Sequence, residues 1–172
     1  ASAAATVYCL SHGSVCSIEE LATQHRGLRW MQVFIYRDRA FTRELTQRAR
    51  DAGYDALVLT IDNQLLGKRE RDLANGFSIP PRFSGPQSLA MAAKWRWGWS
   101  MRRELRALTF GNYVRPGSKE SLATIAGRMG SLLDPALCWD DVAQLRADWP
   151  GPLLLKGVLH PAEARRAVEL GI

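Results

Sequence analysis

The chain has 172 residues, 47% of them hydrophobic and 23% charged, an ordinary balance for one globular domain with a real core. No apolar run approaches the roughly 20 residues of a membrane-spanning helix, which excludes such a span within this sequence. The net charge of +6 suits an anionic partner without selecting among a cofactor phosphate, an anionic lipid surface and nucleic acid. The three cysteines, Cys9, Cys16 and Cys138, include no C-x-x-C pair, so buried or free thiols in a reducing compartment are expected, and no metal site.

In chain order, residues 6–10 (TVYCL) are apolar and β-branched and predict a buried strand. Residues 17–27 predict a helix, with Ser17 and Glu20 forming a capping box and Gly27 as the stop. Residues 29–36 (RWMQVFIY) predict a second strand, 40–53 an amphipathic helix ending at Gly53, and 56–61 (ALVLTI) a third strand. After a long excursion, 139–149 predict a helix stopped by Pro150, 153–158 a fourth strand, and 160–171 a final helix with Pro161 in its first turn. Alternating strands and helices imply right-handed β-α-β units and a parallel sheet covered on both faces. No G-x-G-x-x-G follows the first strand, which favours a (β/α)8 barrel over an open Rossmann sheet. Four strands make about half of such a barrel. The beginning, ASAAATVYCL, and the end, ARRAVELGI, read as cut from a longer chain.

In parallel α/β folds chemistry gathers at the C-terminal strand ends. Those ends here present Ser11, then Gln32 and Phe34, then Thr60 and Asp62, then Lys156. Hydroxyls, an amide and a lysine around one mouth suit a flat heterocycle with several polar edges. The alternative is that each caps a strand end or bonds a loop. Arg69 follows Gly67 on a segment able to fold back over the mouth, where a guanidinium can grip a carboxylate with two parallel hydrogen bonds. The alternative for its surroundings, KRERD, is a solvated charged turn.

Four stretches, LSHGSVCSIEELA, WMQVFIYRDR, AGYDALVLTIDNQLLGKRERDLANGFSIP and LLLKGVLHPAEARRAVELG, run in the order found in the FMN-dependent α-hydroxy-acid dehydrogenases and oxidases, which this chain resembles. The resemblance implies a partial FMN-binding (β/α)8 barrel over 1–172, entered at the second barrel strand and left after the fifth helix. Residues 82–138 then correspond to the family's variable loop. It implies FMN contacts from Ser11, Gln32, Thr60 and Lys156, the last stabilising an anionic reduced ring. It implies that Arg69 binds the substrate carboxylate and that Asp62 orients the catalytic histidine and stabilises its imidazolium. That histidine and a second arginine belong to a Ser-Asn-His-Gly-Gly-Arg stretch expected beyond Ile172. The chain taken alone would therefore lack its base. His12, His25 and His160 match no catalytic position, and His160 is expected to be structural. The family usually has tyrosine where this chain has Phe34. Tyr36 points the same way along a strand but lies too far on to replace it.

The implied reaction is oxidation of an L-2-hydroxy acid, with L-lactate the expected substrate and mandelate the alternative, and with quinone or oxygen receiving the electrons. Residues 94–106 hold three of the six tryptophans, with five basic residues and one acidic, a net +4. Interleaved Trp and Arg suit a membrane surface and a quinone partner, placing the protein in the cytoplasm or peripherally on the inner face of the cell membrane. The alternative is a helix packing Trp95 and Trp99, four residues apart, on the barrel. Other readings are a homo-oligomer, as in much of the family, an inactive half-barrel, and, from another class, single-stranded nucleic acid held by the basic aromatic segment. No nucleic-acid motif supports the last, and no such partner is expected.

Overall fold

The computed structural model describes residues 4–63, 67–76, 85–103, 109–114, 124–125 and 131–172. Among them, β1 (Tyr8–Ser11), β2 (Arg29–Val33), β3 (Ala56–Thr60) and β4 (Leu153–Lys156) form one parallel sheet in the order β1-β2-β3-β4. Helix α1 (Ile18–Gln24) joins β1 to β2, and α2 (Arg39–Asp51) joins β2 to β3. The excursion holds α3 (Glu70–Ala74), α4 (Gly85–Ala92) and α5 (Trp95–Ser100) before α6 (Trp139–Asp148) leads into β4 and α7 (Pro161–Glu169) follows it. Each strand pairs with the next in sequence and the order never reverses, as in an arc of a (β/α)8 barrel and unlike a doubly wound sheet. The rest of the stretch 82–138 falls partly outside the described residues.

The strand period of two separates the faces. Leu10, Met31, Leu57 and Leu153 lie in register across the sheet, and Val33, Leu59 and Leu155 form the next row. They pack with Ile18 of α1, Leu45 and Ala49 of α2, and Val142 and Leu145 of α6 into one core. Met31, Leu57 and Leu59 are fully buried, each stabilising the fold by roughly 1.5–3 kcal/mol. The opposite face is less covered, although Ala56 and Thr60 of β3 are buried there. Cys9 and Ser11 are exposed, and Trp30, Gln32, Val58 and Leu154 are only half-buried. Among the described residues, helices cover one of the two faces. The cysteines are free, Cys9 and Cys138 at the surface and Cys16 half-buried.

Local chemistry explains the helix limits. Asp38 caps α2 by accepting from the Ala40 and Phe41 N–H groups. The stripe Thr42, Leu45, Thr46, Ala49 is the buried face of α2, and Gly53 leaves the helix at φ +71°. Ser17 Oγ accepts from the Glu20 N–H at 3.1 Å to start α1. That helix ends at Gln24 and not at Gly27, because His25 turns to extended backbone (φ −110°, ψ 122°). Gly27 has another use: a Cβ there would come within 2.9 Å of the His25 ring. His160 caps α7 through an Ala162 N–H bond at 3.1 Å, the structural role expected of it. Arg39 ties α2 to α6 through Asp141 at 2.8 Å and to Asp134 at 2.7 Å.

Candidate active site

A cavity of about 550 Å³ opens at the C-terminal strand ends, lined by Ser11, His12, Gln32, Phe34, Thr60, Asp62, Asn63, Arg69, Tyr113, Leu133 and Lys156. All seven side chains singled out from the sequence reach it. Its size is that of a site for a cofactor-sized molecule.

The polar floor is one connected network. The Gln32 amide lies 3.2 Å from Ser11 Oγ and 2.9 Å from His12 Nδ1 at one end, and 2.9 Å from Thr60 Oγ1 at the other. Lys156 stands at the rim with its Nζ 3.7 Å from Asp62 Oδ1; the two side chains are 59% and 40% exposed. A solvated pair at that separation is weak, so the ammonium stays available to an anionic ligand edge. Asp62 is set from behind by Gly157. That glycine follows β4 at φ +95°, and a Cβ on it would stand 2.4 Å from Asp62 Cγ. Only a residue without a side chain lets the carboxylate approach the backbone so closely. Arg69 sits at the start of α3, exposed, and makes no ion pair with the described residues.

An aromatic wall closes one side. The His12 ring packs edge-on against Phe34, with centroids 4.3 Å apart, and against Tyr113 at 5.9 Å. Tyr36 leaves the strand, which ends at Val33, and is buried with its hydroxyl 2.6 Å from that of Tyr113. Burial drives the Tyr36 phenol far above its usual range, with Tyr113 adding to the shift. Tyr36 is thus no cavity-facing partner of Phe34, contrary to the strand reading of 29–36. Burial pulls His12 below its ordinary value of 6.5, against the raising effect of its bond to Gln32. Asn112, 1% exposed, holds the wall in place by accepting from the Ile18 N–H at 2.9 Å and donating to the His12 carbonyl at 3.1 Å.

Sequence reasoning missed Tyr113, Asn112, Asn63, Leu133 and Gly157, and set His12 aside. Gly157 lies inside the predicted strand 153–158, where a glycine hints at a close backbone approach, and could have been suspected. Tyr113 reaches Tyr36 across 77 residues, a separation that no local pattern reports.

The donor set fits the ring of a flavin. Two hydroxyls, an amide and an ammonium lie around an opening whose adjoining strand face carries half-buried Trp30, Val58 and Leu154. A planar heterocycle with polar edges and apolar faces is complementary to that surface.

Comparison with known proteins agrees. The family model described as FMN-dependent dehydrogenase matches residues 1–172. The L-lactate dehydrogenase of Caulobacter sp. (strain K31) is 38% identical over 174 residues, covering 99% of this chain and 45% of that protein. The L-lactate dehydrogenase of Pseudomonas syringae pv. syringae (strain B728a) is 36% identical, covering 95% of this chain and 43% of that protein. Among solved structures, the monotopic membrane protein (S)-mandelate dehydrogenase superposes with a TM-score of 0.86 at 33% identity, covering 96% of this chain and 43% of that one. The chain thus spans less than half the length of the curated relatives it matches. With the whole of its sequence matched, the chain belongs to the FMN-dependent dehydrogenase family.

Proposed function

We propose that this chain supplies the flavin floor and carboxylate clamp of an FMN-dependent L-2-hydroxy-acid dehydrogenase acting on L-lactate. One observation carries the reading: Ser11, Gln32, Phe34, Thr60, Asp62, Arg69 and Lys156, spread over 146 positions, meet in one cavity. Bound FMN would take up the two electrons that leave the substrate's α-carbon. Ser11, Gln32 and Thr60 hold the ring edge by hydrogen bonds. Lys156 presents positive charge where the ring gains negative charge. Arg69 binds the substrate carboxylate and fixes which hydrogen faces the ring. Asp62 holds the imidazolium formed when the family's histidine, expected beyond Ile172, takes the hydroxyl proton. Phe34 leaves the substrate oxygen without a phenol at that position. The full-length protein should be yellow and should bleach anaerobically with L-lactate. A colourless protein refutes the assignment.

Mandelate is the second reading, supported by the aromatic wall of Phe34, His12 and Tyr113 and by the likeness to mandelate dehydrogenase. Faster bleaching by (S)-mandelate than by L-lactate would establish it.

For the electron acceptor, a membrane quinone is the reading we favour over oxygen. Trp95, Trp97 and Trp99 are 68%, 49% and 66% exposed, and Leu89 and Met91 beside them are exposed too. Among the described residues the tryptophans are left exposed and not packed on the sheet, against the alternative for this segment. Arg102 lies over the Trp99 ring at 4.6 Å, which keeps indole and guanidinium together at one surface. No described helix is long and apolar enough to cross a membrane, so the contact would be peripheral. Deleting 94–106 should release the protein from anionic liposomes with its flavin retained. Undiminished liposome binding would sink the membrane reading. A homo-oligomer is proposed on family grounds alone.

A further inference from the structure

The Gln32 side-chain amide makes four polar contacts, and one of them decides the sense of the other three. Its amide has one end at 2.9 Å from His12 Nδ1 and 3.2 Å from Ser11 Oγ. The other end is 2.9 Å from Thr60 Oγ1 and 3.3 Å from the Val33 carbonyl oxygen. His12, Ser11 and Thr60 can each donate or accept. The Val33 carbonyl can only accept, so the amide nitrogen lies at its end. The amide oxygen then lies between His12 and Ser11, and both must donate to it. Ser11 can do so while its oxygen accepts from the Gly13 N–H at 3.3 Å. His12 can do so only with its proton on Nδ1. Thr60 Oγ1 accepts from Gln32, which leaves its own proton for whatever fills the cavity.

We propose that His12 is a positioning residue of the flavin site: its Nδ1–H locks the Gln32 amide, and Gln32 in turn makes the Thr60 hydroxyl a donor toward an acceptor atom of the bound ring. The inference rests on reading the cavity as an FMN site. His12 is built for the task. It is 9% exposed, wedged against Phe34 at 4.3 Å and Tyr36 at 6.1 Å, and its carbonyl is held by Asn112 at 3.1 Å. The ring therefore has little room to swing away. Burial keeps it neutral near pH 7, and a neutral ring has a single N–H, which the Gln32 contact assigns to Nδ1. Without that donor the Gln32 oxygen keeps only Ser11, and only the 3.3 Å contact to the Val33 carbonyl still opposes a turn of the amide that would reverse the polarity offered to Thr60.

The test uses the full-length protein as wild type, H12F, H12N, T60V and the double variant H12F/T60V. Nitrogen NMR of the imidazole reads the His12 tautomer without flavin, and quenching of flavin fluorescence reads FMN affinity. The Nδ1–H form is expected. H12F fits the aromatic slot but lacks the donor, and FMN should bind about tenfold more weakly. H12N, whose side-chain N–H takes the place of Nδ1–H, should bind within about threefold of wild type. T60V should weaken binding to a similar degree, and the double variant should bind no more weakly than T60V alone, because both changes break one chain of contacts. An Nε2–H tautomer, wild-type affinity in H12F, or additive losses in the double variant would each overturn the proposal. If H12F does not fold, the tautomer and the H12N affinity decide it. Failure of the unmodified full-length protein to take up FMN overturns the flavin reading and this proposal together. FMN uptake indifferent to H12F overturns this one alone.

Discussion

Replacing Gly157 with alanine tests whether Asp62 is placed by backbone contact. An added Cβ would stand 2.4 Å from Asp62 Cγ and 2.6 Å from its Cβ, whereas ordinary contact begins at 3.4 Å. The Asp62 side chain must therefore retreat by about 1 Å, the difference between 2.4 and 3.4 Å. A displacement of that size in a group that orients a base costs on the order of 10²-fold in rate. Alanine at φ +95° also carries strain of about 1–2 kcal/mol, or roughly 2–8 °C in melting temperature.

Gly171 separates the two effects. It has φ +73° with nothing within 4 Å of an added Cβ, so Gly171→Ala brings comparable strain without the clash. Anaerobic stopped-flow bleaching of the flavin should show the limiting rate falling about 10²-fold in G157A and holding within about threefold in G171A. Both variants should melt lower. The half-saturating substrate concentration should hold in both, because Arg69 lies on another element. A G157A rate near wild type, or equal rate losses in the two variants, would refute the placement of Asp62 by Gly157.

Arg69→Met should raise the half-saturating concentration of the 2-hydroxy acid by about 10- to 100-fold with FMN affinity unchanged; an unchanged value in steady-state kinetics removes Arg69 from the clamp. Asn112→Ala unpairs the Ile18 N–H and the His12 carbonyl in a buried setting and should cost about 2–4 kcal/mol by urea unfolding; a loss below about 1 kcal/mol contradicts the wall's dependence on it. His12 is held below its ordinary 6.5 by burial, so its contribution to stability is complete above that value. As pH falls below 6.5 the unfolded chain takes up the proton first, and stability should drop until the folded ring titrates too; urea midpoints should show this slope in wild type and lose it in H12N. Glu19, paired with Arg48 at 2.7 Å, is 53% exposed, so Glu19→Gln should cost less than about 1 kcal/mol despite the close geometry.

The fold was legible because each described β-α unit carries its own punctuation. Gly53 and Gly171 end helices at positive φ, Pro161 opens α7, and Ser17 starts α1, all as their residue types demand. Gly27 misled because a glycine after a helix is also the residue that admits a neighbouring ring, and His25 claims that space. The second strand was read three residues too long. Ile35 and Tyr36 continue its apolar pattern, but the Tyr36 N–H bonds Thr42 Oγ1 at 3.0 Å and its hydroxyl goes to Tyr113. Those partners are tertiary, and hydrophobic periodicity carries no information about them. The same holds for the aromatic wall, which the excursion supplies through Tyr113 and anchors through Asn112.

The gathering of the candidate residues around one cavity was legible for a stricter reason, which is parity. Ser11 is in register with Gln32, Gln32 with Val58, and Thr60 with Lys156. Thr60 lies two residues beyond Val58, so it shares a face with Gln32 and is reached diagonally by the Gln32 amide at 2.9 Å. Asp62 lies two further on and meets Lys156 at 3.7 Å. Every step is even. A stagger of one residue anywhere would send Thr60 or Lys156 into the row of Leu59 and Leu155 and bring a leucine to the mouth. The buried rows enforce the register, because slipping them would expose Met31, Leu57 and Leu59 together, at roughly 1.5–3 kcal/mol each. The core thus selects the alignment that gathers hydroxyl, amide and ammonium at one edge. The less covered side of the same sheet places half-buried Trp30, Val58 and Leu154 behind them. Polar groups at the strand ends beside an apolar strand face are what a planar cofactor needs, and here both come from the same two-residue repeat.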